Sequence, residues 1–214
     1  MYSLRQILVG GVVLSLLISA SGRGQAEAGE PQDKIRQTIH EVIDILSDES
    51  LKAQERTQER RAIMRQAVTR FFGFAEMAKR AMGQHWRKLT PTQQKEFVPL
   101  FSDLLERSYV GKIEGANATK DSVRFVKESV DKDGYATVTT EIINPREQNF
   151  DVEYRLIKRD QEWQVYDVII EGVSLVNNYR TQFNKIIRQG SYESLVKQMK
   201  VKLEQEKAMD KAKG

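Results

Sequence analysis

The sequence predicts an α+β fold in which helices pack on one face of a curved, four-stranded antiparallel sheet. Three observations carry that expectation. Apolar residues recur every three or four positions through 33–115, alternate with polar ones through 122–171, and return to helical spacing over 173–205. Helices, then short-turned strands, then helices is the order of segregated layers, not of alternating βα units.

The first 28 residues stand apart. Arg5 precedes an uncharged apolar stretch, 7–18, and small residues follow up to Ala26-Glu27-Ala28. This is the layout of a secretory signal peptide, with cleavage expected after Ala28 and Gly22 as the alternative point. The apolar stretch is shorter than the roughly 20 residues that a membrane-spanning helix needs. Residues 29–205 then form one domain, large enough for a full core. The Lys/Glu-rich stretch 206–214 is expected to fray.

Composition narrows the chemistry. The chain has no cysteine, which removes thiolate catalysis, cysteine metal sites and a lipobox anchor. The formal charge is +4; residues 1–28 hold Arg5, Arg23 and Glu27, so the remainder carries +3 with both signs interspersed. A nucleic-acid binder would show basic clusters interleaved with aromatics. Such clusters are weak here, and no nucleic-acid partner is expected.

Each element has its own signal. Ile35, Ile39, Val42, Ile43 and Leu46 stripe a helix over 33–46, with Asp33 as N-cap. Residues 47–58 read as a polar loop running into a second helix that carries Ile63, Ala67, Val68 and Phe71. Phe71-Phe72-Gly73-Phe74 breaks it, a short helix follows over about 75–82, and Gly83 suits its C-cap. Thr90 caps the next helix, Pro91 takes its first position, and Gln93 completes a capping box. That helix bears Phe97, Phe101, Leu104, Leu105 and Tyr109 and ends near 111–115.

The period then changes to two. Val123 and Phe125 begin a first strand, and 131–134 is a turn. Ala136, Val138, Thr140 and Ile142 share one face of a second strand; Phe150, Val152, Tyr154 and Leu156 share one face of a third. Asn144-Pro145 breaks the chain between them. Arg159-Asp160 turns into a fourth strand, with Trp163, Val165 and Ile169 on one face and Tyr166, Val168 and Ile170 on the other. Val173, Val176, Tyr179, Phe183, Ile186 and Ile187 stripe the following helix. Gly190-Ser191 separates it from a last one carrying Leu195, Met199 and Leu203.

Reactive groups are sparse. His40 and His85 are the two histidines, and no His-Glu-x-x-His pair, phosphate-binding glycine loop or nucleophile elbow occurs. No catalytic residue, metal or cofactor is assigned. Asp167 and Glu171, four apart on one strand, are the acid–base candidates, because a carboxylate among apolar neighbours has a raised pKa. The simpler role for them is to accept hydrogen bonds from Arg180 or from the start of the next helix, where negative charge is favoured.

Residues 163–183 are where the sequence stops being generic. Trp163, Tyr166, Asp167, Glu171, Gly172, Val173, Ser174, Tyr179 and Phe183 strongly resemble the MlaC family of periplasmic phospholipid carriers, also called the toluene-tolerance auxiliary-component family. Gly83 and Trp86, ahead of the helix bearing Phe97, Phe101 and Tyr109, extend the resemblance over essentially all of the chain beyond the leader. It implies a cystatin-like or NTF2-like sheet with an added helical subdomain. It further implies a periplasmic carrier, most simply a monomer, that binds a glycerophospholipid by its acyl chains. Such a carrier shuttles it between an outer-membrane lipoprotein complex and an inner-membrane ABC transporter complex, maintaining outer-membrane lipid asymmetry without covalent chemistry.

The physical demand on such a carrier is severe. About thirty methylenes at roughly 0.8 kcal/mol each put an unshielded crossing on the order of 20 kcal/mol uphill. The chains must therefore be enclosed in an apolar cavity. The expected lining is Phe97, Phe101, Leu104 and Tyr109 from one helix; Val138, Val152, Tyr154, Trp163, Val165 and Ile169 from strands; and Val173, Val176, Tyr179 and Phe183 beyond them. Periodicity does not distinguish a lined cavity from a filled core, and without the resemblance the filled core is the simpler reading. Arg87, Lys88 and Arg180 are candidates to meet anionic membrane surfaces or headgroups. Two other functions stay open: a carrier of another lipid such as a hopanoid, and an NTF2-like enzyme using Asp167 and Glu171.

Overall fold

The computed structural model describes residues 29–115, 118–143 and 148–213. The expected signal peptide and the Asn144-Pro145 break lie outside them. Helix α1 (Glu30–Ser47) starts three residues before Asp33, with Pro31 in its first turn. Two 3₁₀ turns, Glu49–Leu51 and Gln54–Arg56, occupy the polar stretch before α2 (Thr57–Thr69). Then come α3 (Phe74–Met82), a 3₁₀ turn (Gly83–Lys88) and α4 (Pro91–Gly115). The capping box forms as expected: Gln93 N donates to Thr90 Oγ1 at 3.2 Å, and Thr90 N to Gln93 Oε1 at 2.9 Å. Pro99 lies inside α4, where it forfeits one backbone hydrogen bond.

The sheet has five strands, not four: β1 (Val123–Val130), β2 (Tyr135–Ile142), β3 (Phe150–Arg159), β4 (Glu162–Ile170) and β5 (Val173–Ser174). They pair antiparallel in the order β1-β2-β3-β4-β5. The fifth strand is two residues long, too short to leave a periodic signal, and the helical stripe beginning at Val173 conceals it. Tight turns set the register. Asp160 and Gln161 both have positive φ (49° and 68°), as do Glu171 and Gly172 (50° and 79°), the backbone that favours two-residue hairpin loops. Glu171 is thus an exposed turn residue and not a strand neighbour of Asp167.

Two bulges decide which side chains face inward. One falls where Arg155 pairs with Asp167 and Leu156 with Val165, leaving Tyr166 as the extra residue. An added residue reverses the alternation beyond it. Trp163, Val165, Val168 and Ile170 consequently share a face with Val152, Tyr154 and Leu156, while Asp167 and Ile169 point to the other side. The sequence expectation, which joined Ile169 to Trp163 and Val165, is corrected by that bulge. The other bulge makes Val126 the extra residue of β1 and leaves it exposed.

Helices α5 (Leu175–Gln189) and α6 (Tyr192–Lys213) close the chain. α6 continues past residue 205, where fraying was expected; the segment is rich in helix-forming Lys, Glu and Ala, and Lys207 pairs with Glu204 at 2.7 Å. Three apolar clusters form. Helices α3, α4, α5 and α6 enclose Met77, Phe97, Phe101, Tyr179, Phe183 and Leu195. The β2–β4 face buries Val138, Val152, Leu156, Trp163 and Val165 under Ile35 of α1 and Phe71. Ile45, Leu51, Met64, Ala67 and Val110 join α1, α2 and the end of α4. The bundle is tied to the sheet at the part of β4 that β5 leaves unpaired. Gly73 N donates to Val165 O at 2.9 Å and Val165 N to Phe71 O at 3.0 Å. A Cβ at Gly73 would lie 2.9 Å from Gln164 Oε1 and 3.3 Å from Gln164 Cβ, so a larger residue would have to displace that side chain.

Candidate functional site

The expected lining does not come together as one wall. Phe97, Phe101, Leu104, Val176, Tyr179 and Phe183 are buried in the helical cluster, with Tyr109 packed partly buried against it. Val138, Val152, Trp163 and Val165 belong to the sheet cluster, with Tyr154 partly buried at its edge. Ile169 is buried on the opposite face of the sheet. Val173, in β5, is 57% exposed and has no part in either layer.

The two layers differ in how they close. The helical cluster is ring against ring. Phe97 stacks on Phe101 at 6.0 Å and meets Phe183 edge-on at 5.8 Å; Tyr179 meets Phe101 edge-on at 5.5 Å. Such pairs favour one tight arrangement. The Tyr179 hydroxyl donates to Ser108 Oγ at 3.2 Å. Burial pushes its pKa up, with that bond pulling the other way.

The sheet face is covered by the amphipathic α1 together with Phe71 and Phe72 of the α2–α3 connection. Ile35 and Ile39 of α1 lie on it, and polar contacts around the helix rim hold it there. Glu128 of β1 accepts from Gln32 N at 2.9 Å, a carboxylate at the positive end of the helix. Glu30 accepts from Trp163 Nε1 at 3.0 Å and pairs with Lys158 at 3.5 Å. Arg36 sits 3.9 Å over the Phe125 ring. Glu41 pairs with Arg70, and Asp44 with Lys120 at 2.6 Å. These ion pairs are largely exposed, and exposed pairs contribute only about 0–1 kcal/mol each. Beside α1 runs an open cleft of about 910 Å³. Ile45, Leu51, Ile63, Ala67, Phe71 and Trp163 supply its apolar part, and His40, Glu41, Asp44 and Arg70 are among its polar lining. Trp163 is the one residue of the expected lining that it touches. Its size is within the range of small-molecule sites.

Sequence reasoning overlooked α1. Its isoleucine stripe was legible, but nothing in the stripe says which surface it covers. One polar pair lies within the sheet layer. Thr140 is fully buried and donates to Val152 O at 3.3 Å. Burial pushes the neighbouring Tyr154 phenol up to about 12, against a lowering hydrogen bond from Thr140.

Asp167 is 5% exposed. It accepts from Ser174 Oγ at 2.6 Å and from Val176 N at 3.0 Å, and Ser174 in turn accepts from Asn177 N at 3.0 Å. It therefore caps α5, with Arg155 as its distant cationic neighbour at 3.9 Å. Arg180 does not brace it; its Nε donates to Arg80 O at 2.8 Å. His85 bonds Asn184 at 3.0 Å, joining the 3₁₀ turn to α5. Among the described residues, no group of three or more acidic, His or Cys side chains is placed to hold a metal, and no helix is long and apolar enough to cross a membrane.

An antiparallel meander with a covered apolar face, joined to a helical bundle, defines an α+β protein. The chain belongs to the MlaC family, whose model, described as MlaC protein, matches residues 36–201. The fold is shared with a solved structure from Ralstonia solanacearum: 24% identity, TM-score 0.70, covering 82% of this chain and 97% of that one. That protein is described as a phospholipid-binding protein and was solved in complex with a phospholipid.

Proposed function

We propose that this chain is a periplasmic carrier that binds the acyl chains of a glycerophospholipid and shuttles it between outer-membrane and inner-membrane components. The lipoprotein complex of the outer membrane and the ABC transporter of the inner membrane are its two stations, and lipid asymmetry of the outer membrane is the result. The chains lie on the β2–β4 face among Val138, Val152, Tyr154, Leu156 and Val165, beneath α1, and enter from the adjoining cleft. The observation that carries this reading is a broad apolar sheet face, in a chain of this family, covered in large part by one helix whose rim contacts are mostly exposed. Family membership and the phospholipid in the Ralstonia relative support it. The aromatic bundle is the rigid frame. No covalent step is involved, and Asp167 serves as a helix cap.

Organic extraction of the freshly purified protein followed by lipid mass spectrometry tests the reading. A glycerophospholipid is expected in the extract, with a matching protein–lipid mass in native spectra. A hopanoid in its place would identify another cargo. A uniform apo mass, unchanged after incubation with vesicles, would overturn carriage.

A further inference from the structure

Charge is partitioned in this molecule. Most arginines of the described chain are ion-paired or bonded: Arg56 with Glu59, Arg60 and Arg61 with Glu114, Arg65 with Glu106, Arg70 with Glu41, Arg124 with Glu141. The surface built by α3, the following 3₁₀ turn and α5 is different. Residues 74–89 and 175–189 hold seven Lys or Arg and one acidic residue, Glu76. That residue is taken up by Arg80 at 2.8 Å and Lys79 at 3.8 Å. Arg87, Lys88, Arg180, Lys185 and Arg188 have no carboxylate partner among the described residues, and all five are exposed. The two segments carry +6 between them, so the rest of the chain beyond residue 28 is net acidic.

The five cations lie on adjoining elements. His85 is bonded to Asn184 at 3.0 Å, Arg180 Nε to Arg80 O at 2.8 Å, and the Arg180 side chain lies along Gly83. Arg180, Asn184 and Arg188 recur every four residues of α5, on one helical face. The exposed positions between the cations are polar and uncharged: Gln84, Asn177, Thr181 and Gln182. None of the large exposed hydrophobic residues falls on this surface. The fully buried centre of a protein interface is typically more apolar and poorer in charge than the rest of the surface, with aromatic anchors. A cationic surface without one suits a fluid layer of anionic headgroups, which rearrange to meet the charges.

We propose that the α3–α5 surface docks the protein on an anionic lipid bilayer. This is separate from the cargo site, which lies on the β2–β4 face; it rests on the carrier reading only for its purpose. The probe is vesicle co-flotation: phosphatidylglycerol and phosphatidylcholine in equal parts, against phosphatidylcholine alone. The wild-type chain should bind the anionic vesicles, lose them as salt is raised, and ignore the neutral ones. Arg87→Gln, Lys185→Gln and Arg188→Gln together should weaken binding about a hundred-fold, at about five-fold per cation, the factor that about 1 kcal/mol per basic residue corresponds to. The control is Lys127→Gln, Lys132→Gln and Arg159→Gln, an equal charge change on the strands and the β1–β2 turn; it should leave binding nearly unaltered. Equal loss in both triple variants would reduce the effect to net charge and overturn the docking surface. So would absent wild-type binding at low salt, or equal binding to neutral vesicles. Extracted lipid measured in the same variants separates the questions: cargo retained while docking is lost supports a surface distinct from the cavity, and cargo lost along with docking, in folded protein, contradicts it.

Discussion

In the α3–α6 bundle, aromatic rings close on one another; in the sheet half, the apolar face is covered by the amphipathic α1 together with Phe71 and Phe72. The bundle gains specificity from Phe97, Phe101, Tyr179 and Phe183, which each find a ring partner. Separating them exposes several large side chains at once. The sheet half presents Val138, Val152, Leu156 and Val165 to α1, whose own contribution is Ile35 and Ile39 backed by rim contacts. Moving α1 breaks exposed polar contacts, each worth little, and uncovers Ile35 on the sheet and Ile45 against α2 and α4. The difference teaches that apolar surface is closed ring against ring in one place, and in the other by an amphipathic helix with an open cleft beside it.

Fixing the cover is the strongest way to break this contrast. The chain has no cysteine, so Gln32→Cys with Glu128→Cys gives a unique pair across the α1–β1 contact. Linked by a short bismaleimide, the protein should lose lipid uptake from vesicles almost completely, while the unlinked double variant keeps it. Uptake unaffected by the link would show that α1 is not the moving element.

Removing a ring should act on the frame. Phe97→Ala is expected to destabilise the fold by about 3–5 kcal/mol, since cavity and lost transfer energy add. Leu156→Ala under α1 falls in the broader range of about 2–5 kcal/mol, with an added loss of lipid at equal folded fraction. Denaturant melts with parallel lipid extraction separate the two effects; lipid lost equally in both variants would erase the distinction.

Asp167→Ala removes the acceptor of Val176 N and of the Ser174 hydroxyl, leaving the Ser174 cap on Asn177 N, and should cost about 1–2 kcal/mol. Lipid binding at saturating lipid should persist, whereas an enzyme using this carboxylate would lose its turnover.

The smallest effect is on pH dependence. Burial raises the Glu114 pKa, but hydrogen bonds from Arg61 and Arg60 outweigh it and hold the carboxyl below the ordinary glutamate value. A depressed pKa in the folded state gives stability that is present above the unfolded value and lost as pH falls through the folded one. Wild-type Tm should therefore drop below about pH 4.5, the ordinary value, and Glu114→Gln should flatten that drop. Because Glu114 ties α4 to α2, hydrogen exchange there should report the loss first.

Several features were legible because their causes are local. The Thr90–Gln93 box, the Gly83 turn and the β2 and β3 alternation depend on neighbours within a few residues, and each appears where spacing places it. The residues of 163–183 also sufficed to place the chain in its family. Other features were not legible. Ile169 was assigned to the wrong face because one bulge residue, Tyr166, reverses alternation and bulges leave no periodic trace. Val173 looked like the first rung of a helical stripe and is instead an exposed residue of a two-residue strand.

By itself, then, the sequence determined the succession of elements, the caps and turns, and which side chains seek shelter from water, since these follow from short-range sterics and from periodicity. Only the tertiary structure decided that the sheltered residues divide into a ring-packed bundle and a helix-covered sheet. It also decided that the unpaired cations of α5 and of the 3₁₀ turn after α3 share one surface. Both depend on contacts between residues some hundred positions apart, such as Gln32 with Glu128 and His85 with Asn184, and no local pattern encodes which distant surfaces will meet.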